Sequence, residues 1–133
     1  MQAARQKNLV LILAREFASK LATAMFVADA EGRLVFYNEP AEMILGQTFA
    51  EAGEMPAERW AEIFRLEHVD GSPMPLEEIP AGVALLEGRE AHADFRLTSL
   101  DGVQRVVSAT ALPLFARDDQ LVGVVAIFWE RSE

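Results

Sequence analysis

Residues 29–46 read Asp29-Ala30-Glu31-Gly32-Arg33-Leu34-Val35-Phe36-Tyr37-Asn38-Glu39-Pro40-Ala41-Glu42-Met43-Ile44-Leu45-Gly46, and their order decides the fold. Ala30-Glu31-Gly32 is a hairpin turn whose glycine is free to take positive φ. It joins one apolar strand, Met25-Phe26-Val27-Ala28-Asp29, to a second, Arg33-Leu34-Val35-Phe36-Tyr37. Asn38 then offers a side-chain oxygen to the unpaired N–H groups of a helix start, and Pro40 in the first turn loses no hydrogen bond. The helix is short: Ala41, Met43, Ile44 and Leu45, stopped by Gly46.

Upstream, the spacing of Val10, Leu13, Phe17 and Leu21 predicts an amphipathic helix over residues 1–22, with Arg5, Arg15, Ser19 and Lys20 on its other side. That segment holds four basic residues and one acidic, a net +3. The rest of the chain is −12, and the whole is −9. Downstream, residues 47–75 are irregular apart from a helical stretch, Pro56 to Phe64, with Trp60, Ile63 and Phe64 on one side. A turn-rich loop, Asp70-Gly71-Ser72-Pro73-Met74-Pro75, leads to a second short helix, Pro80 to Leu86, closed by Gly88. Ala91, Ala93, Phe95 and Leu97 then alternate with His92, Asp94, Arg96 and Thr98, a half-buried strand. Two more strands, Gln104 to Phe115 and Leu121 to Trp129, complete an antiparallel meander joined by short turns. Helix, two strands, a helical middle and three strands make an α+β fold, divided as 1–22 for the helix and 23–133 for the globular domain.

In the last strand both alternating sets are apolar. Leu121, Val125, Ile127 and Trp129 share one face, and Val122, Val124, Ala126 and Phe128 the other. A face open to water would carry polar residues, so something covers it. The N-terminal helix, from the same chain or a second copy, is the natural cover. The reading is a homodimer with Val10, Leu13, Phe17, Leu21, Val124 and Phe128 at its interface.

Composition narrows the chemistry. The 133 residues are 51% apolar and suit one domain with a sizeable core. Zero cysteines exclude disulfides, thiolate metal sites and thiol nucleophiles. The acidic balance argues against nucleic acid, which calls for clustered Lys and Arg. The longest apolar run, Leu121 to Trp129, is too short to span a bilayer, so the expectation is a cytoplasmic protein with no membrane partner.

The ordered set of signals closely resembles the PAS (Per-Arnt-Sim) sensor domains of bacterial signalling proteins. Residues 29–46 carry that family's aspartate–glycine hairpin, apolar strand, asparagine cap, short helix and glycine. Asp70 to Pro80, with Ala84 and Gly88, is similar to a second stretch common in bacterial members, and Pro113-Leu114 with Gly123-Val124-Val125 looks like the closing hairpin. Many members end in an Asp-Ile-Thr stretch leading to an effector. Here Glu130-Arg131-Ser132 stands in its place and the chain stops at Glu133, so an effector in cis or in trans is expected outside it.

The resemblance implies a five-stranded antiparallel sheet cupping short helices around a small cavity, which members use for haem, flavin, small acids or apolar molecules, or leave empty. Haem would take an axial histidine from the helix before the third strand, and Pro80 to Leu86 has none; His68 and His92 lie elsewhere. A cysteinyl–flavin adduct is excluded by the absence of cysteine. Few amide or guanidinium groups stand in the inward pattern to orient a free flavin. An apolar ligand suits the side chains best. Met25, Val27, Phe36, Met43, Ile44, Trp60, Phe64, Ile79, Val83, Phe95 and Leu97, with Ile63 and Leu86, are the candidate lining. The same residues equally serve as an ordinary packed core.

Catalysis finds no foothold in the pattern. Glu77-Glu78 and Asp118-Asp119 are chain neighbours that do not converge as a general acid and base. No histidine is set beside a serine as a nucleophile's base, there is no Gly-rich phosphate loop, and the two histidines lack metal-ligand spacing. The functional expectation is therefore a non-enzymatic sensory domain that dimerises and takes a small hydrophobic ligand. The alternatives are a ligand-free dimerisation module or a small cone-shaped α+β enzyme. For the latter the one tyrosine, Tyr37, is poorly placed.

Overall fold

A computed structural model describes the backbone of residues 2–131. Helix α1 (Gln2–Ser19) precedes strands β1 (Ala24–Asp29) and β2 (Leu34–Tyr37). Four short helices follow, α2 (Glu39–Leu45), α3 (Phe49–Ala52), α4 (Ala57–Ile63) and α5 (Pro80–Glu87). Strands β3 (Ala91–Thr98), β4 (Gln104–Phe115) and β5 (Leu121–Glu130) end the fold. The strands form one antiparallel sheet in the order β2-β1-β5-β4-β3, so β5 returns to the centre beside β1. This is the expected α+β architecture.

Local chemistry explains most boundaries. Asn38 caps α2 by accepting the Ala41 N–H, and Gly46, at φ 82°, ends it in the left-handed conformation that costs glycine nothing. Helix α3 falls inside the stretch read as irregular. It is a single turn capped by Thr48, whose hydroxyl accepts the Glu51 N–H at 3.2 Å. Helix α1 ends at Ser19 rather than residue 22, because the Lys20 and Leu21 N–H groups close a turn onto the carbonyls of Phe17 and Ala18.

The sheet separates two apolar layers. On its inner face the helices close over Phe26, Phe95, Leu97, Val107, Ala109, Ala126 and Phe128. On its outer face α1 and the turn after it lay Leu11, Ala14, Ala18 and Leu21 against Met25, Val27, Val125 and Ile127. The doubly apolar last strand is thus covered in part by the chain's own helix. Asn38, 2% exposed, joins the layers. Its amide donates to the carbonyls of Ala18 and Thr23, both at 2.9 Å, and its oxygen accepts from Met25 at 2.9 Å and Ala41 at 3.2 Å. One side chain therefore ties the end of α1, the start of β1 and the start of α2.

Candidate functional site

Between the inner sheet face and the helices lies a cavity of about 60 Å³. Its floor comes from β4 and β5, where Ala109 pairs with Phe128 and Ala111 with Ala126. Alanines at the centre of two adjacent strands leave space that larger side chains would fill. Phe26, Phe95, Leu97 and Phe128 rise around it from the sheet. Leu45, Trp60, Phe64, Leu66, Ile79, Pro80 and Ala81 cover it from the helices and loops. Trp60 is fixed by an N–H donated to the Gly32 carbonyl at 3.0 Å and by an edge-to-face contact with Phe26, centroids 5.0 Å apart.

Five expected lining residues, Trp60, Phe64, Ile79, Phe95 and Leu97, meet at this cavity. The others do not. Met25 and Val27 point to the outer face beneath α1, because β1 presents Phe26 and Ala28 inward. Phe36 lies on the outer side too, edge-on to Phe49, with the Arg15 guanidinium 5.3 Å above its ring. Met43 is 76% exposed, since α2 buries Ala41 and Leu45 instead. Ile44 and Ile63 pack half-buried at the core's edge, Val83 is buried without lining the cavity, and Leu86 is exposed. Phe26, Ala109, Ala126 and Phe128 were not among the expected residues. The polar side chains Ser108 and Thr110 mark the outward set of β4, and antiparallel pairing carries that parity to β5.

The expected dimer residues divide the same way. Val124, 1% exposed, and Phe128, 7% exposed, face inward under the helices and so are not on an interface. Leu21 is half-buried against the sheet, and Val10 is half-buried. Leu13 and Phe17 are open, at 58% and 59%, beside Leu9 and Ile12 at 55% each.

Titratable groups gather away from the cavity. Tyr37 is fully buried and donates its hydroxyl to the Gln47 carbonyl at 2.8 Å. Burial pushes its pKa up to about 12, with further help from the carboxylates of Glu42 and Glu51. His68 Nε2 meets Glu78 Oε1 at 2.6 Å near the surface. On the outer sheet face His92 Nδ1 lies 2.8 Å from Thr110 Oγ1, its ring tilted against Trp129. Next to it the Ser108 hydroxyl donates to Asp94 at 2.6 Å and holds that carboxyl below its usual range, aided by Arg131. Among the described residues no cluster of three metal-ligating side chains occurs.

The sheet order, the asparagine-capped helix and the cavity under α4 and α5 agree with a sequence-family match. The family model described as PAS fold matches residues 18–133. The chain belongs to the PAS-fold family. At the level of fold this PAS domain is similar to the PAS domain of a protein from Colwellia psychrerythraea, with 18% identity over 92% of this chain and 97% of that one and a TM-score of 0.65. It is similar to the PAS domain of Bordetella pertussis BvgS, at 18% identity, 92% and 86% coverage and a TM-score of 0.61. The Rhodobacter sphaeroides LOV protein is a further structural neighbour, at 17% identity, 96% and 68% coverage and a TM-score of 0.69. No curated protein sequence matches the chain. Among the described residues no helix is long and apolar enough to cross a membrane.

Proposed function

We propose that this PAS domain is a non-enzymatic sensory or regulatory unit of bacterial signal transduction, working in the cytoplasm as a homodimer and passing its state to an effector in cis or in trans. One observation carries the dimer. Helix α1 already buries Leu11, Ala14 and Ala18 against the sheet, yet it also exposes Leu9, Ile12, Leu13 and Phe17, each 55–59%. At roughly 100° per residue, Leu13 and Phe17 fall on the flank opposite Arg15, which leans over β2. That flank borders the open half of the outer face, where Leu112 and Trp129 are 43% and 44% exposed. Together these make an apolar strip of the kind that marks an association surface. A second copy related by a twofold axis would cover it with the same strip, and the +3 helix would meet a −12 body.

The ligand reading rests on the cavity, and β5 connects it to the helix. Ala126 and Phe128 border the cavity, while Val125 and Ile127, on the opposite side of the strand, sit against α1. Filling the cavity displaces β5 and so the helix that makes the dimer, a shift between two arrangements of one interface. The small size of the cavity favours a second reading, a dimerisation module whose core holds no ligand. Native mass spectrometry of the freshly purified full chain separates the two by the presence or absence of a co-purifying small molecule.

Sedimentation velocity on the full chain tests the dimer. The wild type sediments as a dimer, and Leu13→Asp with Phe17→Asp gives a monomer with the native fold by circular dichroism, because both side chains are exposed in the protomer. A monodisperse wild-type monomer, or a doubly substituted chain that still dimerises, overturns the proposal.

A further inference from the structure

We infer that protonation of His92 opens the homodimer, so that the outer face of the sheet carries a pH-sensitive contact. The inference rests on the dimer proposed above and gives it a regulator. Position supplies the first support. His92 stands exposed on the outer face of β3, with Nδ1 2.8 Å from the Thr110 hydroxyl on β4. Its ring is tilted against Trp129 on β5, centroids 6.3 Å apart. Leu112 lies two residues beyond Thr110 on the same face of β4. His92 is therefore a neighbour of Trp129 and Leu112, the open apolar side chains that a second copy is proposed to cover. A copy that buries Trp129 takes water from the imidazole as well.

Charge gives the sign. The charged neighbours along the same strand are Glu90, just before β3, Asp94 and Arg96. Both oxygens of Asp94 already have partners, the Ser108 hydroxyl from β4 at 2.6 Å and the Arg131 guanidinium just past the end of β5. Arg96 is held by the Val69 carbonyl, to which it donates at 2.8 Å. Glu90 is exposed, where solvent and salt weaken its reach. A protonated His92 covered by a second copy would lose water without a counterion of its own. The partner's α1 adds to that cost, because the first 22 residues are +3. Both effects favour the neutral ring in the dimer, and by linkage the protonated ring favours the monomer. Histidine is the side chain that changes charge between about pH 5 and 8. The contact is therefore closed on the alkaline side of that range and opens on acidification.

Sedimentation equilibrium of the full chain at about pH 7.5 and about pH 5.5 tests it. A one-unit difference in proton affinity between the two states is about a factor of ten for each imidazole, and a twofold dimer holds two. The dissociation constant is expected to rise about tenfold or more on acidification. His92→Gln, which keeps a polar group beside Thr110 and takes no charge, abolishes most of that rise. His92→Lys, charged at both pH values, dimerises weakly at both. The chain's other histidine, His68, pairs instead with Glu78 at 2.6 Å, and His68→Gln retains the response. Titration of the carboxylates is common to the wild type and His92→Gln, so the difference between them isolates the imidazole. Circular dichroism checks the native fold of each variant. A dimer with one dissociation constant at both pH values, or a response that survives in folded His92→Gln, overturns the inference and leaves the dimer standing. A wild type that is monomeric at both pH values refutes the dimer and the inference together.

Discussion

Replacing Asn38 is the sharpest perturbation of the fold, because four hydrogen bonds from three elements end on one buried amide. Asn38→Ala removes the cap of α2, worth about 1 kcal/mol. It also orphans the Met25 N–H in the interior, at about 1–3 kcal/mol when nothing replaces the partner, and removes one of two donors on the Ala18 carbonyl, which keeps the Leu21 N–H. The Thr23 carbonyl lies nearer solvent and adds less. The cap and the Met25 N–H together come to about 2–4 kcal/mol, a large share of the roughly 5–15 kcal/mol that holds a domain together. Asn38→Asp is the more informative change. It keeps the two accepted bonds but replaces the donating amide with a carboxylate facing the carbonyls of Ala18 and Thr23. The destabilisation then falls on the joint between α1 and β1. Urea unfolding of both variants gives the energies, and hydrogen exchange locates them. In Asn38→Asp the amides of α1 exchange faster by more than those of β4 and β5. The buried carboxyl has its folded pKa raised, so the stability that it retains is present at low pH and is lost as pH rises through that pKa. The aspartate variant therefore approaches the wild type on acidification. An alanine variant that loses less than about 1 kcal/mol, or an aspartate variant whose exchange rises uniformly across the fold, refutes the reasoning.

Two further predictions follow from named contacts. Tyr37 is the one tyrosine, so tyrosinate absorbance reports it alone, with an expected midpoint near 12 in the folded protein. Its pKa is raised on folding, so the associated stability is intact below pH ~10 and is lost as pH climbs toward 12, a fall of about 2–3 kcal/mol that Tyr37→Phe abolishes. A midpoint near 10 contradicts the burial argument. Gly123 lets β5 approach β1, since a Cβ there would lie 2.3 Å from the Ala28 carbonyl oxygen and 3.0 Å from a Leu11 methyl. Gly123→Ala is expected to lower stability by about 1–3 kcal/mol and to loosen α1. Unchanged melting and unchanged α1 exchange contradict it.

The fold was legible because residues 29–46 combine a turn, two strands and a capped helix in an order few folds share, and because β3 alternates cleanly. The cavity was legible only in part. Phe95 and Leu97 border it, as the alternation with polar neighbours in β3 led one to expect. In Ala24 to Ala28 every residue is apolar, so nothing in the strand itself distinguishes Met25 and Val27, beneath α1, from Phe26, at the cavity. The same ambiguity placed Val124 and Phe128 on the wrong face of β5. Helical spacing in α1 suffered a related confusion. Leu13 and Phe17 make one stripe, but the stripe against the sheet is Leu11, Ala14, Ala18 and Leu21, whose alanines look too small to anchor a helix until a flat sheet surface lies against them.

The central claim is that the cavity and the α1 surface act on one another through β5. Sedimentation equilibrium of the full chain and of Ala126→Leu, which fills the cavity from its floor on β5, tests it most directly. The account predicts a dimer whose dissociation constant shifts at least severalfold when the leucine side chain fills the cavity. A wild-type chain that sediments as a monomer, or a dissociation constant that is unchanged in a folded Ala126→Leu variant, contradicts it.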